Sequence, residues 1–129
     1  MKTLKLTALI ITLLTSNLLS KNTDVTTIQY NKVYRTERIG DAYHFLLLTK
    51  SGTYHHLYTN RTDKLTASEF QSDHLIDILK SKQSWGQSFP KKGKYSVNKG
   101  KIYTKLLWNR VKVLSAKKIK YLNKIFYLQ

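Results

Sequence analysis

Hydrophobic and polar residues alternate in short runs along most of the chain after residue 26, and turn-forming residues separate the runs. Such alternation is typical of β-strands that bury one face. The pattern predicts strands over 27–34, 43–49, 53–59, 93–98, 101–108, 111–114, 119–122 and 125–128. Short strands in this order predict a mainly β fold: an antiparallel meander that curls into a sheet or small barrel of about seven or eight strands.

The second and third strands are predicted to form a hairpin around Ser51-Gly52. If these two residues form the whole turn, Leu48 lies opposite His55, and His44 and His55 share one face of the sheet. Both faces of this hairpin are largely apolar. We therefore expect it to be central and covered on both sides.

One helix is predicted to interrupt the meander, near residues 66–82. Thr66 and Glu69 have the capping-box spacing that begins a helix. The apolar residues that follow recur at helical spacing and form a stripe of Phe70, His74, Leu75, Ile78 and Leu79. This stripe is expected to cover one face of the sheet.

The C-terminal strands are predicted to be joined by two-residue turns at Lys99-Gly100, Asn109-Arg110 and Asn123-Lys124. The three registers agree on a continuous apolar interior. This predicted interior consists of Tyr95, Val97, Ile102, Thr104, Leu106, Trp108, Val111, Val113, Ile119, Tyr121, Phe126 and Leu128. The opposite face is predicted to carry Lys94, Tyr103, Lys105, Leu107, Lys112, Lys120, Leu122 and Tyr127.

The first twenty residues have the three parts of a signal peptide. Lys2 and Lys5 precede a short apolar run over 6–14, and Ser20 is an acceptable residue before a cleavage site. The sequence thus predicts a leader over 1–20, a single domain over 21–129, and a secreted or periplasmic location. An uncleaved anchor or an amphipathic helix is the less favoured alternative, because the apolar run is short for a bilayer span.

The hairpin over 43–58, the strand opening at 93–95 and the run of hairpins to Gln129 resemble the small exported lipocalin-like proteins. The Gly-x-Trp motif of lipocalins is absent near the first strand, and the helix interrupts the meander, so no binding residue is transferred. The resemblance implies a β-barrel whose interior can hold a small apolar ligand. The residues expected to line such an interior are Tyr95, Trp108, Tyr121 and Phe126.

Charge is strongly segregated along the chain, whose formal net charge is +16. Residues 78–129 contain fourteen Lys or Arg and no Asp or Glu, and the last acidic residue is Asp77. Within this region Lys94 and Lys105 are predicted to lie opposite each other, a repulsion that a bound anion would relieve. The candidate polyanion-binding residues are Lys94, Tyr103, Lys105, Arg110, Lys112, Lys120 and Tyr127.

Two interpretations of this basic face stay open with equal weight. In the first, it is a binding surface for an anionic polysaccharide, an anionic membrane surface or extracellular nucleic acid. In the second, the lysines serve only solubility and protection of strand edges. In either case the sequence predicts a non-enzymatic binding or accessory protein of the cell envelope or extracellular space.

The sequence offers no catalytic, metal-binding or cofactor motif. His44 and His55 share the predicted face but stand about 13 Å apart at strand rise, too far for one metal ion. His74 could approach them from the helix, although buried structural histidines are the preferred interpretation. Paired carboxylates, a nucleophile elbow and a phosphate-binding Gly-rich loop are all missing from the sequence.

Overall fold

The computed structural model describes residues 23–60, 62–82, 90–105 and 108–129. Its strands are β1 (Tyr34–Thr36), β2 (Tyr43–Leu48), β3 (Thr53–Thr59), β4 (Lys91–Lys94), β5 (Ser96–Asn98), β6 (Lys101–Thr104), β7 (Asn109–Ser115), β8 (Lys118–Tyr121) and β9 (Lys124–Leu128). Its helices are α1 (Asp24–Thr27), α2 (Ala67–Phe70) and α3 (Leu75–Ser81). The predicted leader lies outside the described residues. No helix in the described ranges is long and apolar enough to cross a bilayer.

All nine strands belong to one antiparallel sheet in the order β4-β3-β2-β1-β9-β8-β7-β6-β5. The two edge strands, β4 and β5, are consecutive in sequence and separated only by Tyr95. One bent strand therefore pairs with β3 through its first half and with β6 through its second half. This bend nearly closes the sheet into a barrel, and the predicted mainly β meander is confirmed.

The barrel interior is filled by apolar side chains from nearly every strand. Its buried core comprises Ile28, Tyr34, Leu46, Leu48, Tyr54, Ile102, Val111, Ile119, Tyr121 and Phe126. Tyr95 packs against this cluster, and its hydroxyl donates to the backbone oxygen of Thr49 at 2.8 Å. Burial of this apolar surface is the main force that holds the barrel together.

A second core lies outside the barrel, between the β2–β3 hairpin and the two helices that follow it. It contains Val33, Phe45, Leu47, Leu57, Leu65, Phe70, Leu75 and Leu79. The rings of Phe45 and Phe70 meet edge to face with centroids 6.3 Å apart. The expectation of a hairpin covered on both faces is confirmed.

The single helix predicted over 66–82 is wrong: the segment forms α2 and α3, separated by residues 71–74. The capping box does form, because Thr66 Oγ1 accepts from the Glu69 N–H at 3.1 Å and Glu69 accepts from the Thr66 N–H at 2.9 Å. Within the break, the Ser72 hydroxyl accepts from the backbone N–H of His74 at 3.0 Å. Serine offers such local bonds as an alternative to the helical pattern.

The predicted register of the β2–β3 hairpin is wrong by one residue. Leu46 pairs with His56, and Leu48 pairs with Tyr54. The turn is longer than two residues, because the Thr49 N–H donates to the Thr53 oxygen at 2.9 Å across the loop. A shift of one residue moves every side chain of a strand to the other face. His56, rather than His55, therefore shares the barrel interior with His44.

Two of the three predicted C-terminal turns are at the wrong positions, but the errors do not move strand residues from one face of the sheet to the other. Lys99-Gly100 forms the expected two-residue turn, with positive φ at both residues. The last turn is Leu122-Asn123, shifted by one position, and Tyr121 pairs with Lys124. Asn109 and Arg110 lie inside β7, opposite Thr104 and Tyr103. Each change alters the pairing by an even number of residues, so the alternation of inward and outward positions along β6–β9 is kept, although Val97 of β5, predicted to be interior, is 49% exposed.

Trp108 is a correction to the predicted interior, because its exposed fraction is 85%. Strand β6 ends at Thr104 and β7 begins at Asn109, and the Trp108 N–H donates to the Lys105 oxygen at 3.2 Å. Trp108 thus lies at the end of a turn instead of within a strand. Leu106, also predicted to be interior, lies outside the described residues.

The strand predicted over 27–34 is largely wrong, because β1 begins only at Tyr34 and helix α1 precedes it. Helix α1 contacts β6 and β7. Its Asp24 carboxylate is 2% exposed and accepts from the backbone N–H groups of Ile102 at 3.1 Å and Val113 at 3.0 Å. The Asp24 carboxylate also pairs with Arg110 at 3.3 Å. One buried side chain therefore holds α1 on two strands of the barrel.

Candidate functional site

The outer surface of β6–β9 brings together much of the predicted basic face. Because side chains alternate across a strand, residues beside the interior Ile102, Val111 and Ile119 point outward. The register places these outward residues in cross-strand pairs: Tyr103 with Arg110, Lys112 with Lys120, and Lys118 with Tyr127. We call this surface of β6–β9 the basic face.

A groove of about 330 Å³ runs along the basic face at the turns β6–β7 and β8–β9. Its lining consists of Trp108, Asn109, Arg110, Lys112, Lys120, Leu122 and Asn123. The indole of Trp108 is largely exposed, and Lys112 and Lys120 are exposed beside it. The groove therefore combines an aromatic surface with cationic side chains, the arrangement that binds charged polymers with planar rings.

Sequence reasoning missed Trp108 as part of this surface. Its hydrophobicity and its position in an alternating run favoured the interior, whereas in the structure Trp108 precedes the start of β7 and is exposed. Arg110 was expected to be a free cation in a turn. It lies instead in β7, where the Asp24 carboxylate pairs with its guanidinium and partly neutralises the positive charge. Lys112 and Lys120 therefore carry most of the unneutralised charge of the groove.

Lys94 and Lys105 do not face each other as predicted. Lys94 pairs with Thr53 of β3, because β4 joins β3 and only β5 joins β6. Lys105 follows the end of β6 with a φ of 50°. Burial is the main cause of the lowered pKa of His56 inside the barrel, and the Lys105 charge adds to it. Lys94 is exposed on β4, and Lys105 is exposed directly after β6.

Tyr127 lies on the outward side of β9, beside Lys118 of β8. The Lys118 ammonium lies 6.0 Å from the centroid of the Tyr127 ring. This separation is at the outer limit of a cation–π contact. Tyr127 thus extends the combination of aromatic and cationic groups beyond the groove, as the sequence predicted.

A second polar cluster lies inside the barrel, at the end near Lys105, the residue that follows β6. The imidazoles of His44 and His56 stack with centroids 5.9 Å apart and planes 18° apart. Tyr58 stacks against His44 at 5.4 Å, and the Tyr121 ring meets His56 edge-on at 5.5 Å. We call His44 and His56 the histidine pair.

Both members of the histidine pair are held as neutral imidazoles. Burial lowers the pKa of His56 to about 4, with further contributions from the neighbouring His44 and from the positive charges of Lys91, Lys124 and Lys105. Burial and the Lys124 charge also lower the pKa of His44. Within the described part of the chain, His44 Nδ1 and His56 Nε2 are buried without a hydrogen-bond partner.

The histidine pair is poorly arranged for a metal ion. The lone pair of an imidazole nitrogen lies in the ring plane, so two stacked and nearly parallel rings do not aim their lone pairs at one point. The described residues contain no cluster of three or more His, Cys, Asp or Glu side chains suited to a metal. Nearby lysine charges oppose a cation further.

The other two histidines lie apart from this pair. His55 is on the outer side of β3, where its ring packs against Phe70 with centroids 5.9 Å apart. Burial, followed by the Lys92 charge, lowers the pKa of His55. His74 is exposed at the start of α3, and its side chain makes no capping hydrogen bond. Neither belongs to the cluster at the barrel end.

No protein family was found to match the chain, and no curated protein or solved structure was found to be similar to it. The resemblance to lipocalin-like proteins therefore stays a prediction. Because no enzyme family matches the chain, any inference about catalysis rests on its own residues.

Proposed function

We propose that this chain is an exported, non-enzymatic binding protein that holds an anionic polymer on its basic face. The observation that carries the proposal is the groove in which Trp108 lies beside Lys112 and Lys120. A polymer of linked sugars or nucleotides offers both features that this groove would engage, namely a repeated negative charge and rings that stack on an indole.

The charge distribution supports the proposal. All side-chain carboxylates of the chain lie at or before Asp77, so the strands β6–β9 supply none of their own. Lys112 and Lys120 are cross-strand neighbours. Like charges placed in this way repel each other, and an anion that lies between them removes the repulsion. Binding would also release counterions from the polymer, which makes the affinity depend strongly on salt.

A carrier of a small apolar ligand in the barrel interior is the alternative. The described interior is occupied by side chains, and Tyr34, Ile102 and Phe126 have no exposed surface. Of the four residues expected to line a ligand cavity, Tyr121 and Phe126 belong to this packed core and Trp108 lies outside the barrel. These observations favour the outer surface as the binding site.

The proposal is tested by titrating the protein with duplex DNA, an acidic polysaccharide and anionic vesicles over a series of salt concentrations. We expect submillimolar binding to one of the two polymers and a steep loss of affinity with salt. The double variant Lys112→Gln/Lys120→Gln should bind at least about tenfold more weakly and show a reduced salt slope. Weak binding to all three would refute the proposal, and binding to vesicles alone would replace the polymer with a membrane surface.

A matched control separates the groove from net charge. Lys50 and Lys80 are exposed and lie outside the groove, so Lys50→Gln/Lys80→Gln removes the same charge elsewhere. The control should retain nearly all polymer affinity. Trp108→Ala should weaken binding by about tenfold through lost stacking, without loss of fold, because the side chain is largely exposed. Equal losses in the control and groove variants would argue for diffuse charge attraction.

Export is tested by sequencing the N-terminus of the protein recovered from outside the cytoplasm of a bacterial host. We expect the recovered chain to begin at Lys21, since Ser20 precedes the predicted cleavage site. Replacing Leu9 and Leu13 of the apolar run with Arg should keep the chain in the cytoplasm at its full length. A full-length chain on the outside, or no export, would contradict this part of the proposal.

A further inference from the structure

We propose that the barrel end containing His44 and His56 binds a small oxyanion, such as a phosphate or carboxylate group, between the imidazoles and the neighbouring lysines. This site is separate from the groove on the basic face, and it uses none of the groove's residues. The inference rests on the unpartnered nitrogens and on the charges that surround them.

Two imidazole nitrogens at this barrel end are buried without a hydrogen-bond partner among the described residues. His56 is only 9% exposed, and its Nε2 has no hydrogen-bond partner within the described residues. The Nδ1 atom of His44, one strand away on the same interior face, is likewise buried and unpartnered. Buried polar atoms are nearly always hydrogen-bonded, so a close pair of exceptions indicates a group that the site is built to receive.

The charges around the histidine pair are positive. Three lysines from different parts of the sheet act on His56: Lys91 of β4, Lys124 of β9 and Lys105 after β6. Among the described residues, His44 itself and the tyrosines Tyr58 and Tyr121 also contact the pair. No carboxylate contributes to the pKa of either imidazole. The surroundings therefore favour an anion over a cation.

Other polar groups near the histidine pair are hydrogen-bonded to protein atoms. The hydroxyls of Thr104 and Tyr121 bond to each other at 2.6 Å, and Thr36 Oγ1 accepts from the backbone N–H of His44 at 3.1 Å. These polar groups already satisfy one another, which leaves the imidazole nitrogens and lysine ammoniums as donors to a ligand. An oxyanion can accept several such bonds at once, and charge-assisted bonds of this type are strong.

Binding and protonation should be coupled. An anion beside His44 and His56 stabilises their protonated forms and raises the pKa of both imidazoles. The protein would then take up protons when it binds the anion, and its affinity would increase as the pH falls from 7.5 to 5.5. A ligand that merely attached to surface lysines would leave the imidazoles unchanged.

The test is a titration of the whole protein with inorganic phosphate and, in a second arm, with acetate, followed through the imidazole signals by NMR. We expect the signals of His44 and His56 to shift, those of His74 to stay, and the pKa of His56 to rise by at least one unit. The arm with the tighter binding identifies phosphate or carboxylate chemistry. Unchanged His44 and His56 signals in both arms would overturn the proposal.

Two variants keep the test independent of folding defects. His56→Gln should weaken phosphate binding at least tenfold, and Lys124→Met should do so while both imidazoles stay in place. His74→Gln is the matched control and should bind as the unmodified protein does. Retained affinity in both His56→Gln and Lys124→Met would contradict the assignment. A loss in Lys112→Gln/Lys120→Gln would instead locate the anion on the basic face and overturn the proposal.

Discussion

Replacing Asp24 with alanine is expected to lower the free energy of unfolding by about 3 kcal/mol, enough to remove much of the stability of a small domain. The Asp24 carboxylate accepts two backbone hydrogen bonds, from Ile102 of β6 and from Val113 of β7, and pairs with Arg110. Without it, two N–H groups lose their partner, and each such loss costs about 1–3 kcal/mol. Part of this cost is recovered where water can enter beside the half-exposed Arg110.

The measurement is urea denaturation of the purified protein at neutral pH. Asp41→Ala is the matched control, because Asp41 is exposed and its replacement should change the unfolding free energy by less than about 0.5 kcal/mol. Arg110→Met should cost less than Asp24→Ala, since it leaves both backbone hydrogen bonds intact. If Asp24→Ala unfolds like the control, the carboxylate does not hold α1 on the barrel.

The distribution of inward and outward residues could be predicted from the sequence wherever the pairing error was even. Leu122-Asn123 replaced Asn123-Lys124 as the last turn, yet Ile119 and Phe126 still face inward. Because side chains alternate with a period of two, such a shift leaves the faces unchanged. The outward positions of Lys112 and Lys120 were therefore predictable even though two of the three C-terminal turns were not.

The histidine pair was not predicted, because the β2–β3 turn changes the pairing by one residue. The signal that could have indicated a longer turn lies in its threonines. Thr49 Oγ1 accepts from the Thr53 N–H at 2.9 Å and lies 2.6 Å from the Thr53 hydroxyl. Threonine side chains favour such local bonds in turns. The Ser51-Gly52 pattern alone suggested a two-residue turn, which placed His55 instead of His56 on the same face as His44.

The helical segment and the start of the chain were beyond prediction for a different reason. Separation of α2 from α3 depends on how Phe70 and Leu75 pack against the outer side of the β2–β3 hairpin, which is a tertiary property. Helix α1 occupies a stretch whose β-branched residues favour a strand. Its conformation is determined by the long-range bonds of Asp24 to β6 and β7, which leave no trace in the local sequence.

Acidification is expected to destabilise the protein by about 3 kcal/mol between pH 6.5 and pH 4 through His56 alone. In the folded protein the pKa of His56 is about 4, whereas an unfolded chain has the ordinary value of 6.5. The unfolded state therefore binds the proton first as the pH falls, and the equilibrium shifts toward unfolding. The contribution is fully present above pH 6.5 and is lost by pH 4, below which both states carry the proton.

The measurement compares the unfolding free energy at pH 7.5 and pH 4.5 for the protein and for His56→Gln. Glutamine does not titrate, so the variant should lose less stability on acidification, even if it is less stable at neutral pH. His74→Gln, at an exposed position, should follow the unmodified protein. An equal acid response in His56→Gln would show that His56 is not held neutral by burial. Phosphate should reduce the acid response of the unmodified protein but not that of His56→Gln, because the proposed anion stabilises the protonated pair.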